Sequence, residues 1–124
     1  MGVIIENPGG SLDLDKIAKL LTPEMLFYER SPTVGVIRVI SKARTPRQFN
    51  GLVHSLDFGS VTVTIRINGS PVPGLSLLVP GTTPFRAEPT GGNVLSLDGT
   101  LEIVLVRASD PKGLSLQFDY DWII

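Results

Sequence analysis

From residue 33 onward the chain is written in short alternating runs of apolar and polar side chains. In residues 61–67, Val61, Val63, Ile65 and Ile67 fall on one side and Thr62, Thr64 and Arg66 on the other. A period of two becomes one apolar and one wet face only in an extended strand. Asn68-Gly69 follows at once, a pair that tolerates the positive φ of a tight hairpin turn, so residues 75–79 are expected to return against this strand past Pro71 and Pro73. Residues 114–122 alternate in the same way. Leu114, Leu116, Phe118, Tyr120 and Trp122 share one face, and Ser115, Gln117, Asp119 and Asp121 share the other, which predicts that the aromatic face is buried.

Residues 34–40 are rich in β-branched side chains, and further strands are expected at 84–87, 93–97 and 101–108. Residues 101–106 are apolar on both faces apart from Glu102. That suits a central strand, or one covered by a partner subunit around Val104 and Val106. Gly91-Gly92, Asp98-Gly99 and Asp110-Pro-Lys-Gly113 separate these runs as turns. About seven or eight short strands with no helix between them predict a mainly β fold, an antiparallel two-sheet sandwich or jelly roll.

Residues 11–30 read differently. Leu12, Ile17, Leu20, Leu21 and Met25 recur near helical spacing, Ser11 is placed to cap the start, and acidic Asp13 and Asp15 precede basic Lys16 and Lys19. Thr22-Pro23-Glu24 has the form of a second helix start, so a short N-terminal helical segment interrupted near Thr22 is expected. The predicted organisation is an N-terminal extension over residues 1–32 and a β-sandwich domain over 33–124, together one folding unit.

Composition narrows the function. At 124 residues, 42% hydrophobic and 19% charged, the chain fits one globular domain and is too apolar to be disordered. The formal net charge of −1 supplies no global excess of cation for a polyphosphate backbone, so nucleic acid is not the expected partner. There is no cysteine, which removes disulfides, thiolate metal sites and cysteine nucleophiles. No apolar run approaches the length of a spanning helix, and the N-terminus has no basic segment followed by a long apolar stretch, so neither membrane insertion nor a secretory signal is expected.

Candidate chemistry is sparse. His54 is the sole histidine, and its neighbours Ser55 and Asp57 do not make a triad, which depends on geometry rather than adjacency. Asp119 and Asp121 project from one strand face, yet a hard cation needs about six to eight oxygens, so these carboxylates read as a solvated face. A glycosidase pair drawn from Glu88, Glu102, Asp119 and Asp121 has no support in the sequence. The expectation is no enzyme, no metal and no cofactor.

Charge is the most informative local feature. From Arg30 to Leu56 the ionised residues are Arg30, Arg38, Lys42, Arg44 and Arg47, with no acid among them, although the whole chain is slightly acidic. Residues 41–51 carry little apolar content and read as a long basic loop. Arg38, Lys42, Arg44 and Arg47 are thus the candidates for docking onto an acidic partner surface.

The C-terminal run Leu97-Asp-Gly-Thr-Leu-Glu-Ile-Val-Leu-Val106, Asp110-Pro-Lys-Gly113 and Leu114-Ser-Leu-Gln-Phe-Asp-Tyr-Asp-Trp122 resembles small β-sandwich virion proteins of tailed bacteriophages, of the capsid decoration or cement type. The resemblance implies a subunit that self-associates, commonly as a trimer, and docks on a larger assembly such as a capsid shell; it brings no catalytic residues. It also implies a virion location, where the composition alone would imply the cytoplasm. The alternative is a carbohydrate- or small-ligand-binding sandwich. That reading needs an exposed pair of aromatic rings drawn from Phe27, Tyr28, Phe49, Phe58 and Phe85.

Overall fold

Two strands of more than twenty residues each organise the protein: β4 (Arg47–Ile67) and β8 (Leu101–Trp122). The computed structural model describes residues 3–6 and 23–123. A straight strand of that length would run roughly 70 Å. A domain of this size has a radius of gyration of only about 14 Å, so both strands must bend. They bend together. β4 and β8 pair antiparallel from Arg47↔Trp122 to Ile67↔Leu101, and the register shifts between Phe58 and Thr62. There Gly59 has φ +78°, and on β8 Arg107 and Asp110 have φ +53° and +47°.

The bend has a purpose that can be read in the parity of the buried residues. Leu52 and Leu56 face the core before it, Val61, Val63, Ile65 and Ile67 after it. On β8 the buried set changes from Leu101, Ile103 and Leu105 to Leu114, Leu116, Phe118 and Tyr120. A one-residue slip turns every following side chain to the opposite face. Extra residues in the bulges absorb the slip, so both arms keep their apolar face on one core cluster.

Shorter strands flank this ribbon. β1 (Val3–Glu6) pairs with β2 (Glu24–Glu29), and β2 pairs with residues 114–119 of β8. β3 (Gly35–Ile40) pairs with residues 101–105 of β8. Along the other edge of β4 lie β5 (Ser70–Pro71), β6 (Phe85–Ala87) and β7 (Val94–Leu95). All pairings among the described residues are antiparallel, and the fold is mainly β, built on one antiparallel sheet.

Several expectations need correction. Glu24–Glu29, expected as the end of a helix, is a strand: Met25, Phe27 and Glu29 are buried in alternation with Glu24, Leu26 and Tyr28. Its backbone is satisfied by β1 and β8, so tertiary pairing overrides the local helical spacing. The remainder of the expected helix, residues 11–22, lies outside the described residues. Asp110-Pro-Lys-Gly113 does not separate two strands but is the bend inside β8. The return of residues 75–79 reduces to one bridge, Val63↔Leu78, with Ile65 N–H donating to the Leu75 carbonyl at 2.9 Å.

The aromatic face falls where the alternation places it. Leu114, Leu116, Phe118 and Tyr120 are fully buried, Trp122 is half-buried, and Gln117 and Asp121 are exposed. Residues 101–106 form a central stretch, between β3 and β4. Among the described residues, no helix is long and apolar enough to cross a membrane.

Candidate functional site

The expected basic loop is shorter than the sequence suggests. Only residues 41–46 lie outside strands, because β4 begins at Arg47. The loop is pinned at Ala43, whose N–H donates to the Gly99 carbonyl at 2.9 Å while its own carbonyl accepts from Asp98 N–H at 2.7 Å. With Ala43 buried, Lys42 and Arg44 on either side point outward and are exposed.

Arg47 departs from the sequence expectation. It is 6% exposed, opposite Trp122 on β8 and Leu95 on β7, and so cannot stand on a free docking surface. Its guanidinium carbon lies 4.4 Å from the Trp122 ring centre and 4.8 Å from that of Tyr120. Those two rings meet edge to face at 5.1 Å and 88°. A cation held over two π faces keeps its charge while burying its stem, which makes Arg47 the member that positions Trp122.

Val39, Ile40, Lys42, Ala43, Arg44, Thr45, Arg47 and Trp122 line one cleft of about 330 Å³. Three of the four basic residues singled out in the sequence therefore meet around one aromatic ring. Lys42 reaches Asp98 at 3.8 Å, with both side chains mostly exposed, an ion pair too wet to hold the lysine in place. Arg38 lies elsewhere. It donates to Glu102 at 3.5 Å, and Arg66 donates to the same carboxylate at 3.0 Å from the other side. This cross-strand row explains why a single acid interrupts the apolar run of β8. Glu102 is buried and lies opposite Arg38 on β3 and Arg66 on β4.

Val104 and Val106 are half-buried on the outer face of the sheet. Val104 stands opposite Val36 on β3 and Thr64 on β4, and the Thr64 hydroxyl accepts from Leu77 N–H at 3.0 Å. Val34, Val36, Leu77 and Val79 around them are 53–65% exposed, so an apolar stripe crosses this face. Sequence reading identified Val104 and Val106 but missed the flanking valines and Leu77. The β-branched run at 34–40 was the available signal. For the cleft it missed Trp122, Val39 and Ile40, since Trp122 was assigned wholly to the core.

The carboxylates of the outer strand face are engaged by donors. Arg86 grips Asp119 through both terminal nitrogens, at 2.7 and 3.1 Å, and Asn50 donates to Asp121 at 2.9 Å. The missing side chain of Gly51 makes room for the Arg86 guanidinium to lie across β4. Among the described residues no cluster of three or more histidine or acidic side chains could hold a metal ion. Of the aromatics considered for a sugar platform, Phe27 and Phe49 are buried. The exposed Phe85 packs on His54 at 5.8 Å, and none of Tyr28, Phe58 and Phe85 stacks on another.

His54 is 5% exposed on β4, opposite Leu116, and its Nδ1 meets no hydrogen-bond partner among the described residues. Burial pushes its pKa below the usual 6.5. In the intermediate pH range the unfolded chain then binds more protons than the folded one, so stability rises with pH. Stability is full above the unfolded value and falls as pH drops through 6.5 towards the lower folded pKa. Thermal unfolding between pH 7 and pH 5 is expected to show this decline, and His54→Phe is expected to flatten it; an equal slope in the variant contradicts the assignment.

No protein-family model matches the chain, and no curated protein or solved structure does.

Proposed function

We propose that the protein is a non-enzymatic assembly subunit that self-associates and docks through the 39–47 cleft on an acidic surface of a larger protein shell, in the manner of a capsid decoration or cement protein of a virion. In this reading the bent sheet acts as two facing layers of a sandwich, which is supported by the single core cluster shared by both arms. Docking is carried by one observation: Lys42 and Arg44 stand exposed on a pinned loop beside the half-buried Trp122 and the apolar Val39 and Ile40. Such a site offers charge for carboxylates and a ring edge for an apolar side chain. Self-association is supported by the apolar stripe around Val104 and Val106.

Trp122 is the sole tryptophan, so its emission reports directly on the cleft. Titration with a glutamate-rich peptide is expected to change that emission and to weaken with added salt. The double variant Lys42→Glu with Arg44→Glu is expected to lose affinity by about tenfold or more, because both steering charges are reversed. Lys112→Glu, a reversal away from the cleft, is expected to bind as the parent does. Equal binding by the double variant removes the docking function.

A further inference from the structure

Strand β3 is an edge of the sheet that the described residues form. Among the described residues it pairs with β8 alone, so alternate N–H and C=O groups along its other side face outward. The outer edge of β4 is instead covered by β5, β6, β7 and the 72–81 segment, and β2 is covered by β1. Edges that must stay single carry lysine or proline, or are very short. β3 reads Gly-Val-Ile-Arg-Val-Ile, with no lysine or proline, and its one charge, Arg38, reaches across the sheet face to Glu102 at 3.5 Å.

The edge also ends the apolar stripe. Val36, 53% exposed, is the last member of the row Leu77, Thr64, Val104, Val36. A second strand beside β3 would continue that row, and β3 itself is a fitting second strand. We propose that β3 pairs antiparallel with β3 of a second copy across a two-fold axis at Val36, so that the two sheets become one. This inference rests on the assembly reading and names its self-contact.

A register centred on Val36 keeps the two arginines apart. With Val36 opposite Val36 of the partner subunit, Arg38 lies opposite Val34 of the partner subunit. The arginine stem then covers an exposed valine while its guanidinium keeps Glu102. Centring on Arg38 instead would set two cations face to face, which opposes pairing. A two-fold contact of this kind uses each edge once and closes at two copies, in place of the trimer that the phage resemblance implies.

The test is the solution mass of the full chain by sedimentation and light scattering, over concentrations up to about 1 mM. The parent is expected to be dimeric. Val36→Lys and Val36→Glu substitute an exposed side chain, so each is expected to retain a β-type circular dichroism spectrum. In each variant like charges meet on the axis, and the dimer dissociation constant is expected to rise by about tenfold or more. Mixing the two variants is expected to restore the dimer, because opposite charges then meet. A monomeric or trimeric parent, dimerisation of Val36→Lys at parental affinity, or a mixture that stays monomeric each overturns the proposal. The Lys42→Glu, Arg44→Glu variant is expected to remain dimeric while losing the acidic peptide, so failure of self-pairing and failure of docking are told apart.

Discussion

Phe118→Ala lowers the unfolding free energy by about 3–5 kcal/mol, the range measured when a large aromatic is removed from a close-packed core. Phe118 is fully buried between β2 and β4, where its cross-strand partners are Met25 and Leu52. Its ring meets Phe49 edge to face at 5.7 Å, so truncation forfeits both transfer free energy and an aromatic pair. Three strands fix the surroundings, and the space left behind cannot collapse without breaking ladder hydrogen bonds. A domain of this size holds roughly 5–15 kcal/mol in total, so a large share of the stability is lost. The midpoint of thermal unfolding should fall by roughly 10–20 °C. Phe85→Ala is the comparison, since Phe85 is 67% exposed and its removal should cost below about 1 kcal/mol. Denaturant titration of both variants checks the pair of values. A Phe118 cost under about 1 kcal/mol would mean that the core is not packed around this ring.

Gly59→Ala is expected to cost about 2–4 kcal/mol for a different reason. Gly59 sits at the bend of β4 with φ +78°, a conformation that side-chain-bearing residues rarely adopt. An added Cβ would also run into the backbone carbonyls of Ser109 and Asp110 on β8. Backbone cannot rotate aside as a long side chain can, so the two bulges would have to move apart. The parity shift that keeps both arms on one core depends on those bulges, and the damage therefore spreads beyond the site. Gly69→Ala separates the two contributions. Gly69 has φ +82° but nothing within 4 Å of its Cβ position, so only the conformational cost of about 1 kcal/mol should appear there. Equal unfolding free energies for the two variants would show that the close approach of β4 and β8 carries no weight.

The candidate cleft was half legible. The absence of acids between Arg30 and Leu56 marked the basic stretch, and Lys42 and Arg44 do stand exposed in it. Charge alone could not say that Arg47 would be buried against Trp122, because the tryptophan comes from the opposite end of the sequence and arrives only through the β4–β8 register. Arg38 was drawn away in the same manner, by Glu102 on a neighbouring strand.

What the sequence by itself determined is which side of each strand is apolar. The alternation at 61–67 and 114–122 requires no partner, since side chains point to opposite faces in any extended chain, and the buried residues follow it except at Thr62, which is 6% exposed on the polar side. Tertiary structure decided what is joined to what. Helical spacing ahead of Met25 gave way to strand pairing at Glu24–Glu29, because β8 and β1 supplied hydrogen bonds that no local pattern encodes. The turn signal at Asp110-Pro-Lys-Gly113 became a bend inside one long strand, because the bulged partner segment around Gly59 lies directly across from it. Alternation is a property of neighbours in sequence, whereas register, bending and the covering of an edge are properties of neighbours in space.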